Sequence, residues 1–120
     1  DIIPIIAPIA TSASGQTLNV NADTAAGAIA AALGAERLLM LTDVDGVKDK
    51  KGNLIERLSK AQAARLIKNG TAQDGMIPKL QTAIDAVKNG VAATAILDGR
   101  VQHAILLELF TELGAGTLIE

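Results

Sequence analysis

Apolar and polar positions along this chain fall into blocks, and most blocks end at a turn signal. Ile2 to Ile9 (IIPIIAPI) is an unbroken apolar run, the pattern of a strand buried on both faces. Pro4 and Pro8 cannot donate to a ladder, so its pairing should be irregular there. Thr11 to Gly15 reads as a small polar turn, after which the chain re-extends from Gln16 towards Val20. An alanine-rich helix follows from Thr24 to Leu33, with Asp23 as N-cap, or Asn21 if the helix starts earlier, and Gly34 as its stop. Arg37 to Thr42 (RLLMLT) is a second apolar strand. Beyond the polar loop Asp43 to Gly46, Val47–Asp49 and Leu54–Glu56 form a short hairpin around Lys51-Gly52-Asn53.

Ser59 and Gln62 have the spacing of a capping box, opening a helix that stops at Asn69-Gly70. After the loop Thr71 to Pro78, another helix runs from Lys79 to Lys88 and ends at Asn89-Gly90. Ala93 to Leu97 reads as a third core strand, His103 to Thr111 as a helix and Gly116 to Ile119 as a closing strand. Strands alternating with helices call for right-handed crossovers. The expected architecture is therefore α/β: one domain over residues 1–120, a three-layer αβα sandwich around a mainly parallel sheet.

Composition narrows the picture. Of 120 residues 49% are apolar, yet Phe110 is the only aromatic, so Ile, Leu, Val and Ala must fill the core. A net charge of −2 provides no basic field, and no basic stripe is interleaved with aromatics; nucleic acid is not an expected partner. One histidine and no cysteine exclude a Cys-type zinc site and any disulfide frame. The apolar runs are too short to span a bilayer and nothing argues for secretion, which makes the expected location cytoplasmic. The chain starts at Asp1 directly with a strand-like run, and reads as a processed or excised piece of something longer.

Several familiar chemistries are missing. There is no G-x-x-x-x-G-K-[ST] loop, and no G-x-G-x-x-G follows the first strand. Asp23, Asp43, Asp45 and Asp49 lack calcium-loop spacing, and Asp45 and Asp49 read as solvated loop carboxylates, so no metal site is expected. Three features remain, and in a parallel sheet they fall on the edge where ligands bind. Asn19, Asn21 and Asp23 gather at the mouth of the first helix, where unpaired N–H groups and the positive end of the dipole suit an anion. Asp43-Val-Asp-Gly46 follows the second strand, and Asp74-Gly-Met-Ile-Pro-Lys79 brings a glycine turn and a lysine to another helix start. A lysine there opposes the helix dipole. It either snorkels on the surface or meets an anion, and beside the other two loops the second reading is stronger.

Gly15-Gln-Thr-Leu-Asn-Val-Asn-Ala-Asp23, Leu41-Thr-Asp-Val-Asp-Gly-Val47 and Asp74-Gly-Met-Ile-Pro-Lys79, in that order, resemble the nucleotide-binding half of the amino-acid kinase family. Within it, N-x-N-A-D resembles the N-acetylglutamate kinases. The resemblance covers essentially the whole chain and implies half of an amino-acid kinase fold. It implies transfer of the γ-phosphoryl of ATP to the side-chain carboxylate of N-acetyl-L-glutamate, a step of arginine biosynthesis. A carboxylate is already ionised near neutral pH, so no general base is needed, and catalysis reduces to positioning and charge neutralisation. On this resemblance Lys79 stabilises the transferring phosphoryl group and Asp23 orients the lysines; Asn19 and Asn21 contact the acceptor. Thr42, Asp43, Asp45, Gly46, Val47, Lys48, Gly75, Met76 and Lys79 would hold the nucleotide, with Mg2+ kept mainly by its phosphates.

The closing region, His103 to Glu112 followed by Gly114-Ala-Gly116, resembles that of arginine-inhibited members, which implies regulatory roles for His103, Glu112 and Gly114. A solvent-facing histidine at a helix start is the equal alternative for His103. Full-length members also carry a glycine-rich phosphate loop, a second lysine and an acceptor-binding arginine that these 120 residues lack. The implied outcome is a piece that binds ATP or ADP weakly without turnover, and whose bare edges favour self-association. The competing readings are a stand-alone folding module and the matching half of another member, such as UMP kinase.

Overall fold

The computed structural model describes residues 2–112 and 114–120. Its elements in chain order are β1 (Ile9–Thr11), β2 (Thr17–Asn19), α1 (Ala22–Ala32), β3 (Arg37–Thr42), β4 (Arg57–Leu58), α2 (Lys60–Lys68), α3 (Met76–Lys88), β5 (Ala93–Asp98), α4 (Ala104–Phe110) and β6 (Gly116–Ile119). The main sheet has the order β3-β5-β6-β4. β3 runs parallel to β5, with Leu38 opposite Thr94 and Thr42 opposite Asp98, and β4 runs parallel to β6. β6 meets β5 antiparallel, so the sheet is mixed but mostly parallel.

Period-two alternation sorts the sheet residues between its faces. Leu38 and Met40 of β3, Ile96 of β5 and Ile119 of β6 join one buried cluster with Ala30 of α1, Ala63 of α2 and Leu80, Ala83, Ile84 and Ala86 of α3. Three helices thus cover one face. α4 packs against β5 on the other, completing the expected three layers. α3 lies centrally, against α1, α2 and the sheet, with Leu80 and Ala83 fully buried. The capping box forms as expected: Ser59 Oγ accepts from Gln62 N and Gln62 Oε1 from Ser59 N.

Four expectations need correction. Ile2 to Ile9 is not a buried strand: Ile2, Ile3 and Ile5 are almost fully exposed, and only Ile9–Thr11 pairs, with β2. A run apolar on both faces needs neighbours on both sides, and here Pro4, Ile6, Ala7 and Pro8 face only α1 and the adjoining Ala35 and Leu38, around a gap of about 360 Å³. Asn21, not Asp23, caps α1, its Oδ1 accepting from Thr24 N at 3.1 Å. α3 begins at Met76 rather than Lys79; Pro78 is tolerated in the first turn because the N–H it lacks would have no partner there. The hairpin after β3 closes with one bridge, Lys48 to Leu54, and the paired strand that follows it is Arg57–Leu58.

Two buried threonines separate paired from unpaired hydroxyls. Thr117 Oγ1 donates to the Ile55 carbonyl at 2.7 Å and accepts from Val47 N at 2.8 Å. Thr94 Oγ1 is buried with no partner among the described residues. Thr117→Val is expected to cost about 1–3 kcal/mol by orphaning two backbone groups, whereas Thr94→Val should be neutral or stabilising. Urea unfolding of the two variants measures the contrast.

Candidate functional site

A cleft of about 630 Å³ opens where β3 ends and α3 begins. One wall is Thr42, Asp43, Val44, Gly46, Val47, Lys48 and Asp49; the other is Thr71 to Met76 with Lys79. Local backbone chemistry shapes each wall. Gly46 has φ +143°, and a Cβ there would lie 2.7 Å from Thr117 Oγ1 and 2.8 Å from Leu54 Cδ1, so only glycine fits. Val47, next to it, is buried and fastened to Thr117. The Asp49 carboxylate accepts from the backbone N–H groups of Asn53 and Lys51, which holds its pKa below the usual carboxylate value, the Asn53 contribution being the largest. On the opposite wall Asp74 adopts φ +44° just before α3, a left-handed turn that an aspartate tolerates better than most residues. Thr71 Oγ1 is buried without a partner among the described residues.

Lys79 reaches from α3 to α1. Its Nζ lies 2.9 Å from Asp23 Oδ2, and both side chains are largely shielded, 19% and 27% exposed. Close contact between α1 and α3 sets this pair, for a Cβ on Gly27 would collide with Thr82 Cγ2. Lys48 is also engaged, with Asp45 Oδ2 at 2.9 Å.

The structure therefore brings Thr42, Asp43, Gly46, Val47, Lys48, Gly75, Met76 and Lys79 to one cleft, and joins Asp23 to it through Lys79. Asp45 stands just outside, paired to Lys48. Asn19 is exposed on β2, paired with Ile9, and Asn21 uses its carbonyl oxygen on the α1 cap; neither lines the cleft. Val44 and Asp74 come to the cleft within the two segments that the sequence singles out, whereas Thr71 to Gln73, with no ionisable residue or glycine to mark them, were not foreseen. Asp49, read as a solvated loop carboxylate, is one, and it also lines the cleft while folding its own hairpin. Among the described residues no group of three or more His, Cys, Asp or Glu could hold a metal, and no helix is long and apolar enough to cross a membrane.

Beside α4 lies a smaller pocket of about 100 Å³, which Glu112 and Gly114 line together with Arg37, Arg57 and Glu108. Glu108 is buried; its Oε2 accepts from Ala115 N at 2.9 Å, and its Oε1 is 3.9 Å from Arg37 Nη1. A lone acid within the apolar stretch Ile105 to Phe110 was the signal available for it. His103 starts α4 in a left-handed conformation, φ +61°, exposed and outside this pocket.

Three layers around a mostly parallel sheet, with a cleft where β3 ends, define an α/β domain. The model of the amino acid kinase family matches residues 1–98, and the chain belongs to that family. It is 66% identical over 120 residues to the acetylglutamate kinase of Parvibaculum lavamentivorans, and 65% identical over 119 residues to that of Rhodospirillum centenum. The chain spans about 40% of the length of these relatives. Among solved structures, N-acetylglutamate synthase from Neisseria gonorrhoeae, complexed with coenzyme A and L-arginine, aligns with a TM-score of 0.88 at 36% identity, covering 93% of this chain and 26% of that one. Carbamate kinase from Giardia lamblia shares the fold, with a TM-score of 0.70 at 23% identity, covering 88% of this chain and 33% of that one.

Asp98, at the end of β5, sets an acid limit. The Arg100 side chain bonds both of its carboxylate oxygens and the Arg100 N–H bonds Oδ1, lowering its pKa from 3.8 to about 2. Because the folded value lies below the free one, the stabilisation is full above about pH 4 and disappears as pH falls through about 2. Asp98→Asn is expected to lower stability at neutral pH by a margin that shrinks between pH 4 and 2, measured by urea unfolding across that range.

Proposed function

We propose that this chain is the nucleotide-binding part of an acetylglutamate kinase, seating ATP or ADP in the cleft between Thr42–Asp49 and Thr71–Lys79. The observation that carries this reading is the Lys79–Asp23 pair, a shielded ammonium fixed in direction at the cleft wall. Phosphoryl transfer to an ionised carboxylate asks for positioned positive charge and no proton removal. Lys79 meets the transferring phosphoryl oxygens, and Asp23 keeps its Nζ from swinging into solvent. Asn19 and Asn21, leading into α1, donate to the acceptor, N-acetyl-L-glutamate in the intact enzyme. Among the described residues there is no carboxylate cage, so Mg2+ would be held mainly by the phosphate oxygens of the nucleotide and, when bound, would supply further charge neutralisation there. The unpartnered Thr71 hydroxyl and the apolar Val44 and Met76 suit a nucleoside. With about 40% of its relatives' length, the chain alone lacks enough of the site to turn over. Exposed Ile2, Ile3, Ile5 and Phe110 favour self-association.

Calorimetric titration is expected to show weak binding of ATP and of ADP to this chain, with ATP binding reduced about tenfold or more in Lys79→Ala. A coupled ADP-release assay with ATP and N-acetylglutamate should stay at background. No ADP binding by a folded chain overturns the nucleotide reading, and robust turnover overturns its inactivity.

A second reading rests on Glu108, a buried carboxylate at a pocket with room for a guanidinium. Arginine inhibits through this pocket, with Glu108 and Glu112 meeting its guanidinium and Gly114, whose φ is +67°, leaving Glu108 unobstructed. Arginine titration is expected to give heat that Glu108→Gln abolishes; equal binding by that variant rules the reading out.

A further inference from the structure

We propose that Arg100 is a positioning residue for the nucleotide cleft: tethered to Asp98, it neutralises the carboxylates of the Asp43–Gly46 loop so that the loop accepts a polyphosphate. The inference rests on the nucleotide reading above. It starts from the register of the sheet, which sets Thr42 opposite Asp98 and so places the loops after β3 and β5 side by side. Gly99 N donates to the Thr42 carbonyl at 2.8 Å, seaming the two loops at their first residues. One residue further on, the Arg100 guanidinium is fixed by two bonds to a buried carboxylate, Nε to Oδ1 at 2.9 Å and Nη2 to Oδ2 at 2.8 Å.

Charge bookkeeping shows why a fixed cation is wanted. The cleft carries Asp43, Asp49 and Asp74. Its two lysines each sit in an ion pair, Lys48 with Asp45 and Lys79 with Asp23, as Arg100 does with Asp98, and on the Asp43–Gly46 loop Asp43 is in no ion pair among the described residues. An incoming polyphosphate would therefore face the Asp43–Gly46 loop with little positive charge left to offset it. Arg100 is the cation in the adjoining loop, and after Asp98 the charges that favour its protonated form are those of Asp43 and Asp45. Asp98 is buried at a strand end and cannot swing away, so the guanidinium stays beside the loop without the ligand having to order it. Arg100 lies outside the residues lining the cleft, and it acts through the loop rather than by touching the nucleotide.

A charge effect of this kind grows with the number of phosphates, whereas a purely structural defect weakens every nucleotide alike. This chain, with Arg100→Gln and Arg100→Lys, would be titrated with ATP, ADP and AMP at low ionic strength, folding being checked by thermal unfolding. Arg100→Gln is expected to weaken ATP about fivefold and ADP less, with AMP within about twofold of wild type. Arg100→Lys, which keeps the charge but not the two-bond tether, is expected to bind ATP with an affinity between those of wild type and Arg100→Gln. Unchanged ATP affinity in Arg100→Gln, or equal loss of ATP and AMP, overturns the inference and leaves the nucleotide reading standing. If the wild-type chain binds none of the three, both fall. Should Arg100→Gln fail to fold, Arg100→Lys decides, since it lacks the two-bond tether: a greater loss for ATP than for AMP supports the role, and unchanged affinities or equal losses overturn it.

Discussion

One hydroxyl joins the core to the cleft. Thr117, fully buried in β6, holds the start of the Val47–Ile55 arm by accepting from Val47 N and its end by donating to the Ile55 carbonyl. Buried backbone groups must find partners, and these two find theirs in a single side chain. The constraint spreads outward. Gly46 must be glycine because Thr117 Oγ1 lies where a Cβ would be, and Val47 is drawn into the core. The cleft wall from Asp43 to Asp49 is therefore positioned from behind by the sheet as well as by the contacts along its own exposed face.

The opposite wall is built differently. α3 buries Leu80, Ala83, Ile84 and Ala86, while its first turn carries Met76 and Lys79 into the cleft. Anchoring and chemistry thus share one helix, so the direction of Lys79 is inherited from core packing and finished by Asp23 on α1. Both walls borrow rigidity from the same cluster, an economical way to hold a ligand against loops with little regular structure of their own.

Helices and inner strands were legible in the sequence because their periodicity and caps are local. The Ser59–Gln62 box and the Arg37–Thr42 run needed no tertiary context. Ile2–Ile9 was not legible, since an apolar run states only that burial suits it, not whether strands stand alongside. Strand direction was hidden too: nothing local in Gly116–Ile119 distinguishes the antiparallel β6 from a parallel strand. For the cleft, the ionisable and glycine-bearing segments Asp43–Lys48 and Gly75–Lys79 stood out. Thr71 to Gln73 did not, because an ordinary loop threonine acquires meaning only when its hydroxyl is buried without a partner. Asn21 suits both a ligand contact and a helix cap, and its sequence could not say that its oxygen is the one that caps α1.

The central place of α3 also bears on motion. Surface loops and helix ends open locally at low cost, but residues inside a cooperative packed unit exchange only when that unit comes apart. Lys79 directly precedes Leu80, which is fully enclosed, and its ammonium is tied to a second helix of the same cluster. Fraying of this turn is coupled to separation of α1 from α3. The lysine thereby keeps its orientation for as long as α1 and α3 stay packed together.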